Sequence, residues 1–137
     1  MRSILGCITA VGMLVIFGVS TSAAGAVGGF QSPSHNIGCV IASNGVRCDI
    51  AQHSWSPPPT PRSCPLDYGN GVNLAKHGRA SYTCAGDTVL GIGPVLPYGQ
   101  AERRGRFRCK SKFAGVLCVN RLNGHGFFLS RQKVRLF

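Results

Sequence analysis

The pattern Cys-x5-Gly-Val-x-Cys occurs twice in this chain, as Cys39-x5-Gly45-Val46-x-Cys48 and as Cys109-x5-Gly115-Val116-x-Cys118. No other feature restricts the fold as much. Asn44-Gly45 between β-branched runs is a strong hairpin signal, because glycine accepts positive φ. Cysteines that flank such a turn face each other, or nearly so, across an antiparallel ladder. Their Cα atoms are then roughly 4.5–5.5 Å apart, within disulfide reach. The spacing predicts two clipped hairpins of the same build. Two copies do not make a solenoid, which needs at least three stacked repeats. They are either related places in a sheet, left by duplication, or convergence on a good hairpin clip.

The chain has 137 residues and seven cysteines, enough for one domain. Its first segment reads as a leader. Met1-Arg2 is a short positive start, and Ile4 to Val19 is apolar and uncharged. That run is too short for a comfortable transmembrane helix. Ala24-Gly25-Ala26 is an A-x-A site, so cleavage is expected after Ala26, with Ser22-x-Ala24 as second choice. Residues 1–26 are then a signal peptide and 27–137 a single six-cysteine β domain. Ile4-Leu5-Gly6-Cys7 has the look of a lipoprotein box but precedes the apolar run, so Cys7 is read as discarded. Retention of the segment as an anchor is the alternative.

An even cysteine count in an exported chain implies disulfides, and six cysteines permit fifteen connectivities. Hairpin geometry favours Cys39–Cys48 and Cys109–Cys118, and Cys64–Cys84 follows by elimination. Each bridge contributes roughly 2–4 kcal/mol in the chain-entropy account. Bridging also withdraws all six from service as nucleophile or metal ligand. No Cys-x-x-Cys pair exists, so neither a zinc ribbon nor a thioredoxin-like site is indicated.

No segment holds a 3.6-residue period over eleven residues. The expected fold is all-β: a small disulfide-stabilised antiparallel barrel or sandwich of six to nine short strands. Phe30-Gln31 starts a strand, and Ser32 to Asn36 is a turn. Pro57, Pro58, Pro59 and Pro61 follow Trp55 and make a stiff, extended crossover pinned by Cys64. Residues 65–78 read as loop with a little strand. Arg79 to Cys84 reads as strand, Ala85 to Asp87 as turn, and Thr88 to Leu90 as the return strand. Gly91 to Gly99 reads as a long ordered loop with a short edge strand. Asn123 to Gly126 is a turn, and Phe127 to Phe137 a strand.

The net charge is +11 and is unevenly placed. Residues 27–101 carry four Lys or Arg against three Asp; residues 102–137 carry ten against the single Glu102. Such asymmetry points to a local surface facing a polyanion. Arg104, Arg106, Arg108, Lys110 and Lys112 occupy alternate positions, and alternate residues of a strand share a face. Gly105, Phe107, Cys109, Ser111 and Phe113 form the opposite, core-like face. This reads as one strand bearing five cations about 6.6 Å apart. Arg131, Lys133 and Arg135 repeat the alternation near the C-terminus. Phe127 and Leu129 share their parity, so the inward face must switch near Ser130 through a bulge or a break. Were the two basic strands neighbours, one surface would carry eight cations; otherwise each is a solvated stripe. Basic residues also guard edge strands against aggregation, which is the competing reading.

The expected partners are an anionic envelope polymer, a lipid headgroup, an acidic polysaccharide or extracellular nucleic acid. Phe107 and Phe113 have the wrong parity for base stacking, so nucleic acid is not favoured over the others. Enzymatic signals are weak. His35, His53, His77 and His125 show no metal-ligand spacing. His125, with Glu102 and the arginines, could serve phosphodiester cleavage as an acid or base, against the plainer reading of an exposed turn histidine. There is no G-x-S-x-G or H-E-x-x-H, and Gly91-x-Gly93 runs into Pro94 rather than a helix. No cofactor or metal is expected. The leading expectation is a secreted, non-enzymatic binding module. A small phosphodiester hydrolase and a protein-binding or inhibitory module presenting the Pro58-x-x-Pro61 loop are the alternatives.

Several stretches in combination carry a resemblance: Phe30 to Cys39, Val46 to Ile50, Cys84 to Leu90, Leu96 to Gly99 and Gly124 to Arg131. The chain resembles a family of small exported actinobacterial proteins, mycobacterial among them, classed as a domain of unknown function. The resemblance implies an envelope or extracellular setting and supplies no catalytic residues. That family's Ser-Pro-Ser segment has glycine where His35 stands, which argues against His35 as a shared functional residue.

Overall fold

The computed structural model describes Gly18 and residues 27–137; the leader expected over residues 1–26, including Cys7, otherwise lies outside the described residues. Ten strands form two five-stranded antiparallel sheets. The first holds β1 (Gly28–Gln31), β2 (Ile37–Ala42), β3 (Gly45–Ile50), β4 (Tyr68–Ala75) and β5 (Ser81–Cys84) in chain order. The second holds β6 (Ala101–Arg104), β7 (Phe107–Lys112), β8 (Gly115–Asn120), β9 (Gly126–Leu129) and β10 (Val134–Leu136), again in chain order. The all-β expectation holds, as a sandwich rather than a barrel, with ten strands where six to nine were expected.

The repeated cysteine pattern explains this architecture. Each sheet is a meander whose second and third strands form the clipped hairpin. Cys39 lies directly opposite Cys48, and Cys109 directly opposite Cys118. Both bridges span 4.1 Å between Cα atoms, and Cys64–Cys84 completes the framework at 5.9 Å. The two hairpins thus occupy the same place in two different sheets, not two places in one. All four hairpin cysteines are 0 % exposed, and Cys48 Sγ lies 3.9 Å from Cys118 Sγ. Around this contact pack Ile41, Val72 and Leu74 from one sheet and Phe107, Val116, Phe127 and Leu129 from the other. Strand alternation puts these positions on the inner faces.

Three local expectations need correction. Residues 65–78 contain the longest strand, β4, rather than mostly loop. Only Val72 and Leu74 supply a clear inward alternation there, among Gly69, Asn70, Gly71 and Asn73. Thr88 to Leu90 is not a strand; it lies across the outer face of the first sheet, where Val89 N and Thr88 Oγ1 both donate to Asp49 Oδ2. Gly38 makes this possible, since a Cβ there would sit 2.6 Å from the Val89 carbonyl oxygen. Residues 127–137 split into β9 and β10. Ser130 Oγ donates to the Lys133 carbonyl and accepts from Lys133 N, closing the turn at the expected change of face.

The remaining loops are tied to the sandwich. The edge strand expected within Gly91–Gly99 reduces to one parallel bridge, Gln31 to Val95. Trp55 heads the proline-rich crossover and anchors it on the second sheet, donating from Nε1 to the Ser130 carbonyl at 2.8 Å. His53 stacks on Trp55 with ring centroids 3.8 Å apart. His35 has φ of 57°, a left-handed conformation that glycine adopts at least cost.

Candidate anion-binding surface

The basic run from Arg104 to Lys112 is not one strand. Arg104 pairs with Phe107, and Gly105-Arg106 is a two-residue turn with Gly105 at φ of 53°. The reversal changes which residues share a face. Glu102 and Arg104 lie opposite Cys109 and Phe107, on the inward side, and Arg104 Nη1 meets Glu102 Oε1 at 2.7 Å. Arg103 instead lies opposite Arg108 on the outer face. Arg106 sits at the far end of the sheet, in a separate cleft with Lys76 and Arg121. The row of five cations therefore shortens to Arg108, Lys110 and Lys112 on β7.

Those three keep the expected alternation. Phe107, Cys109 and Ser111, which alternate with them, are all fully buried, whereas Arg108 and Lys110 are half-buried and Lys112 exposed. Phe113 leaves the core-facing set, because it lies in the turn beyond β7 and is 88 % exposed.

The two basic runs are not on adjacent strands, since β8 and β9 separate β7 from β10. The separation is about 14 Å at ordinary strand spacing. They nevertheless share one face. A row of register partners crosses the whole sheet: Ala101, Lys110, Leu117, Phe128, Arg135. The next row runs Arg103, Arg108, Val119, Gly126. An apolar strip of Leu117, Val119 and Phe128 is thus bordered by cations on both sides. Lys133 reaches over it, with Nζ 5.7 Å from the Phe128 ring centroid, within cation–π range.

The runs converge at one end of the sheet. Lys112, at the end of β7, and Arg131, from the β9–β10 turn, line the same open cleft of about 520 Å³ with Tyr98, Phe113 and His35. Tyr98 and Phe113 meet edge to face with centroids 5.5 Å apart. Of the eight cations expected, this face brings together Arg108, Lys110, Lys112, Lys133 and Arg135, and Arg131 joins Lys112 in the cleft at its end. It excludes Arg104 and Arg106, and it adds Arg103, which the parity argument missed. Gly105 two residues before Phe107 was the available signal, because a glycine turn there inverts the parity of everything before it.

The three aspartates lie on the side of the other sheet. Asp49, Asp67 and Asp87 line an outer cleft of about 550 Å³ together with Arg47. Arg47 donates to both oxygens of the buried Asp49 and to Asp87 Oδ1 at 2.8–3.0 Å. The hydrogen bond from Arg47 holds the Asp87 carboxyl below the usual carboxylate range, and that with Asp49 raises Arg47 further above its already high value. The aspartates and the outward cations of the second sheet thus lie on opposite sides of the sandwich.

His125 is half-buried in the turn before β9, where its backbone N donates to Asn123 Oδ1. Glu102, the acid paired with it in the hydrolase reading, is engaged by Arg104 instead. Among the described residues no group of three or more His, Cys, Asp or Glu is placed to hold a metal. No described helix is long and apolar enough to cross a membrane. The three disulfides fit an oxidising compartment.

A family model for DUF6636, described as a family of unknown function, matches residues 10–137. No curated protein matches the chain. No solved structure matches it.

Proposed function

We propose, for a chain that belongs to DUF6636, a family of unknown function, that it is an exported, non-enzymatic binding module whose second sheet engages an anionic polymer or surface of the cell envelope or of a host. One observation carries this reading. Cations from both basic runs border a single outer face, and the clipped hairpin has no need of those it carries. At the positions of Arg108, Lys110 and Lys112 the sister hairpin carries Gly38, Val40 and Ala42, and it makes the same clip in the same place. The clip therefore folds without these charges. Edge protection accounts poorly for them as well, because β7 is an inner strand of its sheet, flanked by β6 and β8.

Phosphate or carboxylate groups spaced along a polymer would meet several of these cations together. Binding of that kind releases counterions and weakens steeply with salt. The test is retention of the chain on immobilised polyphosphate and on heparin between about 50 and about 200 mM salt. The expected result is strong salt dependence. Joint replacement of Arg108, Lys110 and Lys112 by Ser should then lower affinity about ten-fold or more. No retention at the lower salt, or retention that the triple replacement leaves unchanged, refutes the reading.

A further inference from the structure

The repeated pattern makes each hairpin a control for the other, and one residue stands out in that comparison. Where the first hairpin turns through Ser43-Asn44, the second turns through Phe113-Ala114. The turn itself does not require an aromatic residue. Yet Phe113 is 88 % exposed, and Tyr98, 44 % exposed, packs on it edge to face. A single exposed apolar side chain needs no explanation. Here, however, two aromatics form a knuckle at the tip of the sandwich, and the cations Lys112 and Arg131 line the same cleft.

From this geometry we infer that the ligand of the basic face is an anionic lipid bilayer, entered by Phe113 and Tyr98 with Lys112 and Arg131 at the headgroup phosphates. The inference rests on the anion-binding reading above and narrows it to one occupant. A polyphosphate or an acidic polysaccharide offers nothing to bury the ring of Phe113. A bilayer interface offers an apolar layer directly beneath a layer of phosphates, the same order in which the tip presents its ring and its cations. Tyr suits the level between the two, with an apolar body and a polar end. Lys110, Lys133 and Arg135 lie one step back on the same face and would add attraction to an anionic surface without entering it.

The test uses the oxidised chain from residue 27 onward, which carries all ten strands and three disulfides. Binding is read by co-sedimentation with phosphatidylcholine vesicles, with and without phosphatidylglycerol, and in parallel on immobilised polyphosphate. The expected result is binding only to the vesicles containing phosphatidylglycerol. Phe113→Ser should reduce that binding roughly ten-fold or more, the scale of burying one large apolar side chain, and leave polyphosphate retention unchanged. Because Phe113 is exposed, the variant should keep its unfolding midpoint. If Phe113→Ser leaves vesicle binding unchanged, or lowers both by the same factor, the bilayer inference fails and the anion-binding reading stands. If the parent chain binds neither vesicles nor polyphosphate, both fail.

Discussion

Cys48 Sγ and Cys118 Sγ lie 3.9 Å apart at the centre of the sandwich, each bridged to its own hairpin partner. They are equivalent residues of the two repeats, so the repeats touch through the same atom. Two disulfides in van der Waals contact form the middle of the core, with the large apolar side chains of both sheets packed around them.

Replacing Cys39 and Cys48 together by Ala should lower stability by about 2–4 kcal/mol. Removing Cys109 and Cys118 should do the same. Because the bridges touch, the losses should not add: a double-mutant cycle should return a coupling of about 0.5 kcal/mol or more. Urea unfolding of the four chains measures it, and strict additivity would show that the sulfur contact carries no energy.

Gly38 and Arg108 occupy equivalent positions on opposite outer faces. Gly38 lies under residues 88–90, with space for no side chain; Arg108 meets solvent. Gly38→Ala should therefore destabilise by about 1–3 kcal/mol through overpacking. Arg108→Ala should stay within about 0.5 kcal/mol. Equal effects would contradict the account of the covered and uncovered faces.

Arg104 and Arg103 are adjacent in sequence, and the turn at Gly105 separates their roles. Arg104 is paired with Glu102 on the inward side, whereas Arg103 joins Arg108 on the outer face. Polyphosphate retention should fall on Arg103→Ser by about two- to five-fold and change little on Arg104→Ser. The reverse order would place the anion elsewhere.

Asp87 is hydrogen-bonded by Arg47, which lowers its folded-state pKa below the ordinary value. A carboxyl depressed on folding adds stability above its unfolded value, about 3.9, and loses it as the pH falls through the folded value. Acid should therefore destabilise the parent chain more than Asp87→Asn below about pH 4. Urea midpoints measured across that range check this. A difference between the two chains that stays constant on acidification would mean the ion pair has no part in it.

Much of the fold could be read from the residues because its determinants are local. A hairpin turn and the cysteines on either side of it lie within ten residues, so the bridges follow from ladder geometry. The face change at Ser130 was visible as a clash of parity between Leu129 and Arg131. What failed were segments whose state depends on distant partners. The strand over 68–75 exists because β3 and β5 pair with it, and its glycines and asparagines give little local sign of that. Val89 leaves the strand conformation because Asp49 takes its amide. Arg104 was misplaced because alternation assumes an unbroken strand, and one glycine turn inverted it.

The sequence alone determined the covalent framework, the all-β class and the concentration of positive charge in the last quarter of the chain. These depend on composition, on spacing and on short-range geometry. Only the tertiary structure decided which cations act together. A sheet carries residues from separate strands to one face according to the order of its strands, and that order arises from long-range pairing. It set the two basic runs three strands apart, laid Leu117, Val119 and Phe128 between them, and brought Lys112 and Arg131 to one cleft beside Phe113. Charge was written along the chain, but the surface that uses it was made by packing.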